Sequence, residues 1–152
     1  MPPTLTLIQQ ERLIRLRYPK SKTWYRTIEG HKALWIELRL QVAPIYESYL
    51  VRICYSLGVR PLVFVIDPKP VEEAQGNLTP HLNYDSTLCL YDPDKEQWNE
   101  SDPIAYTIIP WTLRWLFHYE NWLSTEVWLG DSLELPSNDV PTASTTGPEQ
   151  ST

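Results

Sequence analysis

His81, Asn83 and Cys89 lie close together in the segment His81-Leu82-Asn83-Tyr84-Asp85-Ser86-Thr87-Leu88-Cys89-Leu90. A cysteine thiol can take up an acyl group as a thioester, and a neighbouring amide or imidazole can stabilise the oxyanion that forms when an amine attacks it. Acyl transfer is therefore the chemistry these residue types could share. Two other readings stay open. Free cysteine is among the most buried residue types, so Cys89, flanked by Leu88 and Leu90, could be a small core hydrophobe. A Cys-His hydrolase would need a base held against the thiol by a third group. Only His81 and His118 are candidates for that base, and neither sits in a recognisable protease motif.

The charge around the cysteine narrows the choice. Asp85, Asp92, Asp94, Glu96, Glu100 and Asp102 flank it in sequence. Negative charge disfavours a thiolate, which argues against a redox or protease cysteine with a depressed pKa. Thioester exchange tolerates an ordinary thiol because the acyl group arrives already activated. An acidic rim would also attract an incoming lysine amine, although the same acids would serve equally as a solvated loop. Activation must come from elsewhere: Gly30, Gly58, Gly76, Gly130 and Gly147 are isolated, and no glycine-rich phosphate loop exists. The three histidines and two cysteines show no metal-ligand spacing, so no metal and no cofactor are expected.

The elements that must position these residues are readable from periodicity. Thr6 and Gln9 form a capping box that opens a helix ending before Pro19, with Arg12, Arg15 and Arg17 on its exposed side. From Trp24 to Ile66 the period is two, and breaks at Glu29-Gly30-His31, near Pro44 and at Gly58 predict an antiparallel four-stranded meander over 24–29, 32–40, 47–56 and 61–66. A proline-rich stretch without sustained period then runs to about Asp102, and Cys89 lies in it. Helical spacing returns at Asp102-Pro103, with aspartate as cap, and Pro110 predicts a break or kink before a second helix. Trp111, Trp115, Tyr119 and Trp122 fall on one side of that helix, as a buried stripe would. The fold class is α+β: N-terminal helix, four-stranded antiparallel meander, active-site loop, C-terminal helices.

Of 152 residues, 42% are hydrophobic and 21% charged, which suits one globular domain. That domain is assigned to residues 1–130. Residues 131–152 hold no aromatic and no basic residue and are rich in Ser, Thr and Pro, so they are read as a disordered acidic tail. Lys and Arg outnumber Asp and Glu by 10 to 4 in residues 1–60, whereas acids outnumber bases by 11 to 3 in residues 61–130. A cysteine region this acidic is a poor grip for a phosphate backbone, so no nucleic-acid partner is expected. The basic first third is either a docking face for an acidic partner or a solvated surface. No apolar run suits a membrane span and no signal peptide is readable, which together predict a cytoplasmic protein with no membrane partner. In a reducing compartment Cys54 and Cys89 are expected to stay unpaired.

The order of elements resembles the ubiquitin-conjugating enzyme fold. His81-Leu82-Asn83 is similar to the His-Pro-Asn motif of that family, Leu88-Cys89-Leu90 to its catalytic cysteine between apolar residues, and Trp98 to the tryptophan that follows. Ile104-Ala105, Pro110-Trp111, Trp115-Leu116, Tyr119-Glu120-Asn121-Trp122 and Trp128 resemble more closely the bacterial ubiquitin-conjugating-like proteins of antiphage (CBASS-type) operons. The resemblance implies that Cys89 holds a partner's C-terminal carboxyl as a thioester, that Asn83 donates to the oxyanion or braces the loop, and that His81 holds the loop's shape. It further implies that the partner is a cGAS-like nucleotidyltransferase, that the acceptor is a protein or small-molecule amine, and that a separate activating enzyme could take part. The chain resembles the stand-alone versions of these proteins. Leu82 replaces the family's proline and the spacing from His81 to Cys89 is short, which keeps a catalytically inactive binding module of the same fold as the alternative.

Overall fold

The Gln9 backbone N–H donates to Thr6 Oγ1 (3.1 Å) and Thr6 N donates to Gln9 Oε1 (2.9 Å), so the expected capping box is formed. It opens helix α1, Leu7–Arg17, in a computed structural model that describes residues 3–92, 95 and 97–129. The helix stops before Pro19, whose ring cannot continue it, and turns Leu7, Gln10 and Ile14 inward.

Strands β1 (Lys22–Ile28), β2 (His31–Gln41), β3 (Ser48–Tyr55) and β4 (Leu62–Asp67) pair antiparallel in the order β1-β2-β3-β4. This is the expected meander, with every boundary within two residues of the reading from alternation. Glu29 and Gly30 are both left-handed (φ 48° and 83°), the tight turn whose twist suits a hairpin. Alternation puts Leu34, Ile36, Leu38 and Leu40 of β2, Tyr49, Val51, Ile53 and Tyr55 of β3, and Val63 and Val65 of β4 on one buried face. The other face is half open and carries the stacked Trp24–Trp35 pair (6.1 Å between centroids) and the Glu37–Arg52 ion pair (2.7 Å).

Two expectations need correction. The stretch after Pro68 is not wholly irregular: β5 (Glu73–Ala74) and β6 (Asn77–Leu78) form a small hairpin around Gln75 and Gly76, both left-handed at φ 54° and 85°. A Gln-Gly turn is a weak sequence signal beside Asn-Gly, and strands this short show no alternation. The C-terminal part is one helix, not two. Ile104–Tyr106 make a 3-10 turn, and α2 runs unbroken over Ile108–Thr125. Asp102 does not cap this region; its carboxylate accepts from Asn99 N (2.9 Å). Pro110 does not break α2 because it falls in the first turn, where the backbone N–H has no intrahelical partner to lose. The first α-helical bond runs from Trp111 N to Thr107 O (2.9 Å). The aromatic stripe packs as expected, with Trp115, Tyr119 and Trp122 buried and Trp111 half-buried against the same core that holds Leu7, Ile14 and the inner sheet face.

Candidate functional site

Cys89 is half-buried and unpaired, as is Cys54. The residue is not sealed in the core. It lines a pocket of about 220 Å³ together with Arg60, Pro61, Leu62, Asn83, Thr87, Leu88, Leu90 and Tyr91.

The loop is fixed from two sides. On the sheet side, Leu88 N donates to Val63 O (3.0 Å) and Thr87 bridges to Phe64, so the residues just before Cys89 extend the sheet at the free edge of β4. On the helix side, the His81 carbonyl accepts from Cys89 N (2.9 Å) and from Trp115 Nε1 (2.9 Å). Trp115 of α2 thereby sets where the cysteine backbone sits. Between these anchors Leu82 bridges to Leu88, and Asn83 N donates to Thr87 O (2.9 Å). His81 and Ser86 adopt left-handed backbone (φ 55° and 72°), which costs an L residue about 1–2 kcal/mol each and persists only where neighbouring bonds fix it.

The three residues expected to share chemistry are placed differently from one another. Asn83 and Cys89 line one pocket. The Asn83 side-chain amide donates to Thr87 Oγ1 (3.0 Å), and Thr87 in turn donates from N (3.0 Å) and Oγ1 (2.6 Å) to Asp85 Oδ1. His81 does not line that pocket. Its ring packs against Trp128 at 5.2 Å, and its carbonyl accepts from Cys89 N. His118 also packs on Trp128 (5.8 Å) and, like His81, does not line the Cys89 pocket.

Several of the acids that flank Cys89 in sequence are tied into local hydrogen bonds. Asp85 is engaged by Thr87, Glu100 accepts from Gly58 N, and Asp102 accepts from Asn99 N. Asp94 and Glu96 lie outside the described residues. Burial is the main influence on the Cys89 thiol and pushes its pKa up; Arg60 opposes this and Asp92 adds to it. Arg60 and Tyr91 are the pocket residues that sequence reading missed. Only the register that carries the β3–β4 connection back past the loop brings Arg60 to Cys89. The Cys89 S–H makes a weak contact to the Tyr91 carbonyl (3.8 Å). Among the described residues, no group of three or more His, Cys, Asp and Glu could hold a metal ion, and no helix is long and apolar enough to cross a membrane.

Fold and site together define an α+β protein with a loop-borne cysteine, braced by a sheet edge on one side and an aromatic-faced helix on the other. No curated protein matches the chain. The model of a family described as Type II CBASS E2 protein matches residues 10–134, and the chain belongs to that family. This places it among the E2-like proteins of antiphage systems.

Proposed function

We propose that Cys89 accepts the C-terminal carboxyl of a partner protein as a thioester and passes it to an amine, and that the partner is a cGAS-like nucleotidyltransferase whose signalling is thereby regulated. The observation that carries this reading is an unpaired cysteine in a surface pocket that it shares with Asn83, on a loop held by both sheet and helix. In the loading step the Cys89 thiol gives its proton to solvent, its sulfur attacks an already activated acyl carbon, and the activating group departs with its electron pair. In the discharge step an amine nitrogen adds to the thioester carbon, the C–S bond breaks onto Cys89, and the ammonium proton is lost to solvent. Asn83 supports the carbonyl oxygen or holds the loop, and His81 keeps the backbone shape.

The test is incubation with the nucleotidyltransferase's C-terminal peptide presented as a small-molecule thioester. An adduct on Cys89 that hydroxylamine cleaves is expected, and its persistence in Cys89→Ala would end the proposal. A non-catalytic binding module is the second reading, favoured by Leu82 in place of proline and by the engagement of the Asn83 amide with Thr87. It wins if Cys89→Ala leaves phage protection unchanged in cells.

A further inference from the structure

Arg60 stands on the connection between β3 and β4 and lines the pocket of Cys89 and Asn83. Among the described residues, the pocket wall is otherwise apolar or neutral: Pro61, Leu62, Leu88 and Leu90 beside Thr87 and Tyr91. Among the described residues, the charged groups acting on Cys89 are Arg60 from that connection and Asp92 from the cysteine's own loop. Tyr91, between them, responds to both Arg60 and Cys89. In acyl transfer, negative charge appears first on the carbonyl oxygen of the tetrahedral intermediate and then on the departing sulfur. A half-buried thiol is a poor place for that charge, and a cation at the pocket wall lowers the cost.

Resting on the acyl-carrier reading, we propose that Arg60 is the electrostatic partner of Cys89: its guanidinium stabilises the negative charge that develops at the pocket when the thioester forms and breaks. No proton passes through Arg60, which stays charged throughout. The charge-stabilising role is assigned to Arg60 because it carries a full positive charge, whereas Asn83 is neutral and gives one of its two amide N–H groups to Thr87. Arg60 is also exposed, so its influence should weaken as salt screens it.

The experiment has two arms on the full chain. In the first, iodoacetamide alkylation of Cys89 is followed against pH by peptide mass spectrometry, with Cys54 as internal reference. Arg60→Gln should shift the Cys89 profile to higher pH, slowing alkylation at pH 7.5 roughly threefold to tenfold at low salt, and the difference should shrink in 1 M salt. Arg60→Lys should restore most of the rate, and Cys54 should not respond. In the second arm, a preformed Cys89 thioester is discharged by an amine, and Arg60→Gln should slow discharge by a similar factor. An unmoved Cys89 profile, or equal shifts at Cys54 and Cys89, overturns the role of Arg60. Failure of the wild-type protein to load any acyl group overturns the acyl-carrier reading, while the first arm still reports on Arg60.

Discussion

At the scale of single residues, the site is a chain of small dependencies ending at one sulfur. Asn83 is exposed and bonded only within its own loop, so Asn83→Ala should leave the fold intact. If its amide reaches the acyl oxygen, the variant should discharge a thioester at least about tenfold more slowly, the lower edge of what losing one oxyanion donor costs. Equal discharge rates would restrict Asn83 to turn formation. Asp85 provides a separate handle. Its carboxyl is held below the usual range chiefly by the Thr87 hydroxyl and also by the Thr87 N–H. A depressed carboxyl stabilises the loop above its unfolded pKa of about 4, and that contribution disappears as pH falls through the still lower folded value. The hydrogen-exchange protection of the Thr87 amide should therefore drop below about pH 4 in the native protein. In Asp85→Asn that pH-dependent drop should be missing.

Elements explain why the loop holds its shape at all. Trp115 stacks on Tyr119 (5.2 Å), meets Trp128 edge-on (5.5 Å) and donates to the His81 carbonyl. Trp115→Phe removes the donor while keeping an aromatic ring. It should cost about 2 kcal/mol in urea unfolding and change Cys89 alkylation, because the carbonyl that also receives Cys89 N loses its fixed partner. Helix α1 is tied to the sheet in another way: Thr23 Oγ1 (2.5 Å) and Tyr25 Oη (2.6 Å) both donate to the Glu11 carboxylate. These bonds hold the Glu11 pKa down, so their contribution is present above about pH 4.3 and fades as pH falls further. Glu11→Ala should lose about 1–2 kcal/mol at pH 7 without touching Cys89 reactivity, and the gap from the native protein should close in acid. These elements differed in how plainly the sequence announced them. The meander was legible because alternation over Leu34–Leu40 and Tyr49–Tyr55 is long and one face is buried. The β5–β6 hairpin was not, since two-residue strands carry no period. Pro110 misled because its effect depends on whether it falls in the first turn or the interior, and the true helix start at Ile108 lacks a side-chain cap to mark it.

Across the whole molecule, the parts invisible in sequence are those that depend on distant segments meeting. Cys89 and Asn83 could be picked out because they are neighbours in the chain. Arg60 and Trp115 could not, since only sheet register and helix packing bring them to the loop. Gln10 is the extreme case. It lies within an ordinary helical stretch, yet it is fully buried, donates from Nε2 to Asp102 O (3.0 Å) and accepts from Ile104 N (2.9 Å), joining segments 92 and 94 residues apart. Gln10→Leu fills similar space but leaves a buried backbone N–H and a carbonyl unpaired, a loss of about 2–4 kcal/mol. The cost should fall mainly on one rate. A contact between the chain's first helix and the turn before its last closes a long loop, so it should form after the meander in folding. Gln10→Leu should then speed unfolding and leave refolding nearly unchanged. Stopped-flow measurements across urea would show the unfolding limb displaced upward at constant slope. A slowed refolding limb would instead mean that this clasp forms early and that the helices assemble before the sheet is complete.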